Sequence, residues 1–123
     1  MTQMKPLDPA FPIQAQLGEQ ETGPLVLVNV FTLSPPDEAA FVDAWKNDAL
    51  YMKARPGFIS TQLHRAVGAS PCYFNYAVWE SLEAFRAAFS DPAFRAKLGD
   101  YPSSAVASPH LFQRVAVSGV CVA

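Results

Sequence analysis

Hydrophobic residues alternate with a period of two in three stretches of the chain, which predicts β-strands at residues 25–33, 58–67 and 72–80. The first stretch is apolar on both of its faces, so both faces are expected to be covered. A fourth strand is predicted at residues 110–117. The turn residues 68–71 connect the second and third strands, which should therefore form a hairpin.

Apolar residues spaced by three and four positions predict helices between these strands. Ser34, followed by two prolines and two acids, is a typical helix start, and this helix should run to about Lys53. Ser81 can cap a second helix, which Asp91 and Pro92 interrupt and restart as a short segment. One face of the first helix, expected to pack on the sheet, carries Phe41, Ala44, Trp45, Asp48 and Met52.

The resulting order, β-α-β-β-α-β, predicts an α+β ferredoxin-like fold with a four-stranded antiparallel sheet and both helices on one face. The opposite face is strongly apolar. Two such sheets can cover each other by stacking, so we expect a homodimer. The residues predicted on this uncovered sheet face are Val26, Val28, Val30, Phe74, Tyr76 and Val78.

The domain organisation follows from the distribution of prolines and of periodic segments. Residues 1–24 contain four prolines and no sustained periodicity, which predicts an extended N-terminal arm without packed elements. Residues 25–117 form one domain with a core of its own. Residues 118–123 are a tail of small residues.

Composition and charge exclude several classes of partner. Apolar residues make up 50% of the chain and charged residues only 16%, which again favours contact with another subunit. The net charge is −2 without any basic cluster, so no nucleic-acid partner is expected. No apolar run is long enough to span a membrane, and prolines interrupt the N-terminus, so a cytoplasmic location is expected. Cys72 and Cys121 are too few and too far apart for a disulfide framework or a metal site.

The predicted third strand carries the most informative polar residues. Period two places Asn75 and Trp79 on one face, where a helix-covered amide needs a hydrogen-bond partner or costs about 1–3 kcal/mol. A ligand and a backbone carbonyl are both candidate partners. A pocket between sheet and helices would be lined by these two residues and by Asn29. His64 is either a proton acceptor or a surface residue at a strand end, whereas His110 is expected to face solvent in a loop.

Three short motifs connect the sequence to a known family: Arg55-Pro-Gly-Phe58, Asn75-Tyr-Ala-Val-Trp79-Glu-Ser and Ala84-Phe85-Arg86. With them, residues 25–117 resemble the antibiotic biosynthesis monooxygenase family of dimeric α+β barrels. The spacing Asn-Tyr-x-x-Trp is similar to the branch that oxidises aromatic polyketide anthrones or hydroquinones to quinones with O2. That resemblance implies a homodimer that works without metal or cofactor on a small aromatic substrate.

The same resemblance implies roles for individual residues. Asn75 and Trp79 match the asparagine and tryptophan that are implicated in catalysis. Leu63 and Phe85 stand where relatives have pocket tyrosines, and with Asn29 and Tyr73 they are the candidate substrate-binding residues. Related folds also serve other functions, so a non-catalytic dimer that binds small ligands or acts as an interaction module is the alternative.

Overall fold

A five-stranded sheet covered on one face by helices forms the protein. The computed structural model describes residues 3–123. The strand order is β1-β5-β2-β4-β3, and all neighbouring pairs are antiparallel except β1 with β5. The elements are β1 (Gln3–Met4), α1 (Ile13–Gln16), β2 (Leu25–Thr32), α2 (Glu38–Lys53), β3 (Phe58–Arg65), β4 (Cys72–Trp79), α3 (Leu82–Phe89), α4 (Pro92–Lys97) and β5 (Val106–Phe112).

The α+β ferredoxin-like class predicted from the sequence is confirmed, and β2 through β5 form its four antiparallel strands. The fifth strand makes the sheet mixed: Gln3 and Met4 pair in parallel with Val106 and Ala107. Two paired residues carry no periodicity, which explains why the sequence did not predict β1.

Residues 13–17 are packed, whereas an extended arm was predicted for residues 1–24, of which the first two lie outside the described residues. Ile13 and Leu17 are 6% and 8% exposed and belong to the core. Gln16 is buried between them, where its Nε2 donates to the Phe11 carbonyl at 2.8 Å and its Oε1 accepts from the Leu111 backbone N–H at 2.7 Å. The side chain of Gln16 thus connects α1 to β5, and the segment from 13 to 17 is part of the domain.

The last strand lies earlier in the chain than predicted, at Val106–Phe112 and not at 110–117. Pro109 lies inside this strand, opposite Asn29 of β2. A proline cannot donate a ladder hydrogen bond, but beyond Ala107 the other side of β5 has no paired strand among the described residues. Because β5 begins at Val106, His110 lies inside this strand and not in a loop as expected. His110 is half-buried, with its ring 4.9 Å from that of Phe112.

Side-chain caps fix the broken second helix as predicted. The Ser81 hydroxyl accepts from the Ala84 N–H at 3.1 Å, and an Asp91 carboxylate oxygen accepts from the Ala93 N–H at 2.8 Å. Ser34 does not cap the first helix with its side chain. A short 3-10 turn, Pro35–Asp37, begins α2 instead.

The core lies between the helices and the sheet face that they cover, in two clusters. One cluster is centred on Trp79 and Phe85 and the other on Phe31 and Phe41. Within residues 3–123 the opposite face of the sheet carries no helix, and Tyr76 there is 40% exposed. The side chains of both core clusters therefore lie on the helix side of the sheet.

Candidate active site

A cavity lies between the sheet and helices α2, α3 and α4, next to the first core cluster. The space open to the centre of a water molecule inside it is about 60 Å³. Its wall is mostly aromatic and aliphatic, with few polar side chains. The polar lining residues and the two aromatic residues singled out from the sequence are Asn29, Asp48, Thr61, Asn75, Trp79 and Phe85.

Sheet register explains why two amides meet at this cavity. Asn29 of β2 lies directly opposite Asn75 of β4, so both side chains point to the helix-covered face. On β3 a bulge between Phe58 and Ser60 shifts the alternation by one residue. Phe58 and Thr61 therefore line the same cavity, although strict alternation from Phe58 would place Thr61 on the opposite face.

The side-chain amide of Asn75 has a hydrogen-bonded oxygen and a nitrogen without a hydrogen-bond partner in the described chain. Its Oδ1 accepts a hydrogen bond from the Thr61 hydroxyl, which sets the rotation of the amide group. Its Nδ2 has no hydrogen-bond acceptor within residues 3–123. The partner of this amide is thus a neighbouring side chain, and neither a backbone carbonyl nor a ligand is needed to hold it. An N–H donor remains available to the cavity.

Trp79 forms the inner wall of the cavity and is only 1% exposed. Its ring meets Phe58 at 5.4 Å and Phe85 at 5.5 Å, both in edge-to-face geometry. No residue of the described chain accepts a hydrogen bond from its indole Nε1. Phe85, a predicted substrate-binding residue, is fully buried and also lines the cavity.

Two carboxylate or amide oxygens of the site are buried without a donor in the described chain: Oδ1 of Asn29 and Oδ1 of Asp48. The other oxygen of Asp48, Oδ2, accepts from the Tyr101 hydroxyl at 2.8 Å. Burial raises the pKa of Asp48 to about 6, although the Tyr101 hydrogen bond and the charge of Lys97 oppose this rise. Burial also raises the pKa of Tyr101, which keeps its hydroxyl protonated as a donor to Asp48.

Two predicted substrate-binding residues are not brought to the cavity. Leu63 and Tyr73 pack against the second core cluster instead. The Tyr73 hydroxyl donates to Glu38 at 2.7 Å, and its ring contacts Phe41 with 4.9 Å between centroids. Both residues do lie on the helix-covered face. Tyr73 is nearer to the Cys72 end of β4 than Asn75 is, and Leu63 of β3 lies directly opposite Asn75.

His64 takes the other side of the sheet. Its register partner is Phe74, and the two rings stack in parallel at 4.2 Å on the face without helices. The β3 bulge sets this orientation, which alternation alone left open. His64 is exposed and has no access to the cavity.

The sequence did not point to Thr61, Asp48 or Tyr101 as parts of the site. Asp48 did carry a signal, because it is the single acid on a helix face that is otherwise apolar. Thr61 became a neighbour of Asn75 only through the bulge, and Tyr101 reaches Asp48 from a loop 53 residues further along the chain. Neither of these contacts follows from local patterns.

The fold and the cavity define a ferredoxin-like α+β protein with an internal apolar site. The sequence model of the antibiotic biosynthesis monooxygenase family matches residues 24–97, more than half of the chain. The protein belongs to the antibiotic biosynthesis monooxygenase family. No curated protein matches the chain in the corresponding sequence comparison.

Solved structures of similar proteins cover most of the chain. SnoaB, a cofactor-independent oxygenase from Streptomyces nogalater, is 26% identical, with a TM-score of 0.72 over 80% of this chain and 99% of its own. A candidate monooxygenase from Shewanella loihica PV-4 is 25% identical, with a TM-score of 0.68 over 80% and 100%. A family member from Caulobacter crescentus, at 19% identity, a TM-score of 0.66 and coverage of 77% and 92%, shares the fold.

Residues 3–123 contain neither a candidate membrane span nor a candidate metal site. None of the helices in this part of the chain is both long and apolar enough to cross a membrane. Three or more His, Cys, Asp or Glu side chains do not come together there in an arrangement that could hold a metal ion.

Proposed function

We propose that the protein is a cofactor-independent monooxygenase that oxidises a flat aromatic anthrone or hydroquinone to a quinone with O2. One observation carries the proposal: the Asn75 amide is fixed by Thr61 so that its free N–H lies in an apolar cavity beside Trp79. The similarity to SnoaB, which is described as a cofactor-independent oxygenase, supports it.

The chemistry explains why such an amide matters. Ground-state O2 is a triplet, so it reacts with a closed-shell molecule through one-electron steps and requires a strong electron donor. A deprotonated anthrone or hydroquinone is such a donor. The free N–H of Asn75 would stabilise the negative charge that develops on the substrate oxygen. In an apolar cavity that hydrogen bond is stronger than in water.

The overall reaction needs no external reductant. An anthrone methylene group loses two hydrogens and gains one oxygen atom, and the second oxygen atom leaves as water. The four electrons required to reduce O2 thus come from the anthrone itself. A hydroquinone supplies two electrons and two hydrogens, and with it O2 would leave as hydrogen peroxide.

Trp79 would hold the aromatic substrate and its oxygenated intermediate. Its ring presents a large apolar surface to the cavity, and its indole N–H is a donor without an acceptor in the described chain. Asn29 and Phe85 line the same space and would contact the substrate there. Leu63 and Tyr73 stay predicted contacts for a longer substrate that extends toward the second core cluster.

The cavity must widen to admit a polycyclic substrate. Its space of about 60 Å³ is well below the roughly 300 Å³ at which small-molecule pockets usually begin. This narrowness favours the second candidate function, a non-catalytic dimer that binds smaller ligands or acts as an interaction module.

Oxygen consumption with the anthrone dithranol, without added flavin or metal, separates these two functions. We expect the purified protein to accelerate O2 uptake well above the spontaneous rate, with the corresponding quinone as product. A rate equal to that of a buffer control, together with saturable binding of the same compound, would instead support the binding module.

A further inference from the structure

The proposed reaction begins with loss of a proton from the substrate, and the cavity contains one titratable side chain to receive it. Among the residues that line the cavity, Asp48 alone can gain or lose a proton near neutral pH. His64 and His110, the two histidines of the chain, lie on strand positions that face away from the helices. A base is therefore required and Asp48 is the available group.

We propose that Asp48 is the general base that removes the proton from the bound substrate, with Tyr101 as its positioning residue. The inference rests on the proposed function and adds a catalytic residue to that site. Asp48 would act from helix α2, while Asn75 acts from the sheet on the other side of the cavity.

The two carboxylate oxygens of Asp48 have different surroundings, which suits one for positioning the group and the other for accepting the proton. Oδ2 is held by the Tyr101 hydroxyl at 2.8 Å, which restricts the rotation of the carboxyl group. Oδ1 is buried and receives no hydrogen bond from residues 3–123. An unpaired buried carboxylate oxygen is costly, so its presence in an otherwise apolar wall requires an explanation. A substrate C–H or O–H group is a suitable partner.

The environment also brings the basicity of Asp48 into a useful range. Burial raises its pKa to about 6, which makes its carboxylate a stronger base than an ordinary aspartate. The Tyr101 hydroxyl and the charge of Lys97 oppose the rise and keep the group ionised at neutral pH. These are the two polar groups of the described chain that act on Asp48.

The proposed step is a proton transfer. The C–H bond of the anthrone methylene breaks, and its electron pair moves into the ring system and onto the carbonyl oxygen. The proton binds to Oδ1 of Asp48. The resulting enolate oxygen accepts a hydrogen bond from Asn75, and the enolate is then the electron donor that reacts with O2.

Hydrogen exchange under anaerobic conditions isolates this step from the reaction with oxygen. Anthrone is incubated with the protein in D2O without O2, and loss of its methylene proton signal is followed by NMR. We expect the wild-type protein to accelerate exchange and Asp48→Asn to lower the enzymatic rate by roughly 10²–10⁴-fold. Asp43→Asn, which changes an exposed acid on the same helix, is the matched control and should exchange like the wild type.

The pH profile of exchange tests the positioning role of Tyr101. Tyr101→Phe removes the hydrogen bond that lowers the pKa of Asp48. We expect the midpoint of the exchange profile to move to higher pH. A merely structural role would lower stability and leave the midpoint in place.

The outcomes distinguish this proposal from the proposed function. If Asp48→Asn is folded and exchanges as fast as the wild type, the role of Asp48 is wrong, whether or not oxygen is consumed. If the wild type exchanges through Asp48 but does not accelerate O2 uptake, the base is supported and the monooxygenase function fails. If the wild type catalyses neither exchange nor O2 uptake, both proposals are overturned.

Discussion

At the scale of single residues, the proposed role of Asn75 depends on how its side-chain amide is held. An amide whose oxygen and nitrogen both form hydrogen bonds with the protein would have a structural role only. An amide without any hydrogen bond would rotate. Here the Thr61 hydroxyl donates a hydrogen bond to Oδ1 of Asn75, and the N–H side of the amide stays free for a ligand. Pre-oriented donors of this kind are what stabilises a developing oxyanion, because they need no rearrangement during the reaction.

The first prediction separates a catalytic from a structural Asn75. We expect Asn75→Ala to lower kcat for dithranol oxidation by roughly 10²–10³-fold with little change in melting temperature. Thr61→Val removes the group that orients the amide but keeps the amide itself, so its loss of activity should be smaller. Normal turnover of Asn75→Ala, with a melting temperature lowered by several degrees, would show that the amide is only structural.

The second prediction follows from the raised pKa of Asp48. The folded state binds the proton more tightly than the unfolded chain, so this group favours folding in acid and loses that contribution as the pH rises from about 4 through about 6. A shift of the pKa from 3.8 to about 6 corresponds to up to about 3 kcal/mol. Asp48→Asn should therefore gain stability relative to the wild type between about pH 4 and pH 7.

Urea unfolding of both proteins across this pH range is the measurement, with the exposed Asp43→Asn as control. The asparagine carbonyl can still accept from Tyr101, so the comparison isolates the charge. A stability difference that does not change with pH would contradict the raised pKa.

At the scale of single residues the sequence predicted the strand residues of the site and missed their partners. Alternation along β4 was enough to place Asn75 and Trp79 together. The bulge in β3 put Thr61 beside Asn75 and turned His64 away, and a bulge depends on how two strands pair and not on local composition. The Asp48–Tyr101 contact spans 53 residues and required the folded chain.

Among the elements, helix α3 and the turn before β3 form one packed unit, and Gly57 makes this packing possible. Gly57 has a φ of +85°, and a Cβ added there would overlap the Cβ of Ala84 in α3. Its carbonyl also accepts from the Glu80 N–H at 2.7 Å. The Arg-Pro-Gly-Phe motif therefore lets α3 lie close to the sheet. Phe85, which follows Ala84 in α3, reaches the cavity from there.

The third prediction concerns Gly57→Ala. Backbone strain of about 1–2 kcal/mol and overpacking of about 1–3 kcal/mol should add, and the melting temperature should fall markedly. Gly23→Ala is a matched control, because Gly23 has the same φ of +85° but no atom beyond its two chain neighbours within 4 Å of its added Cβ. Equal losses in the two variants, measured by thermal unfolding, would show that contact with Ala84 does not matter.

Elements with strong local signals were predicted and those that depend on distant contacts were not. Strands β2, β3 and β4 have apolar alternation, and the Asp91 cap marks the start of α4. The N-terminal segment has no such signal. It is held by Gln16 and by Arg86, which donates to the Leu17 carbonyl at 2.7 Å and to the Glu19 carbonyl at 2.9 Å. Those contacts join residues 67 or more positions apart, beyond the reach of local patterns.

At the scale of the whole molecule, the helix-free face of the sheet is a large surface that residues 3–123 do not cover with a helix. Val28 and Val78 lie on it, half-buried, on the same face as Tyr76 and Phe112, which are 40% and 42% exposed. Exposed apolar side chains clustered in this way usually mark a contact with another protein. We propose that two copies stack these faces, with the helices and the cavity of each subunit on the outside.

The last prediction tests this dimer. Light scattering after gel filtration should give twice the mass of one chain for the wild type at micromolar concentration. Val28→Asp would bury a charge without a partner between the stacked sheets, at a cost of several kcal/mol, and should abolish the dimer. Leu50→Asp places the same charge on α2, where Leu50 is 57% exposed, and should leave the mass unchanged. If Val28→Asp keeps the wild-type dimer mass, the two subunits meet through another surface; a monomeric wild type would exclude the stacked sheets altogether.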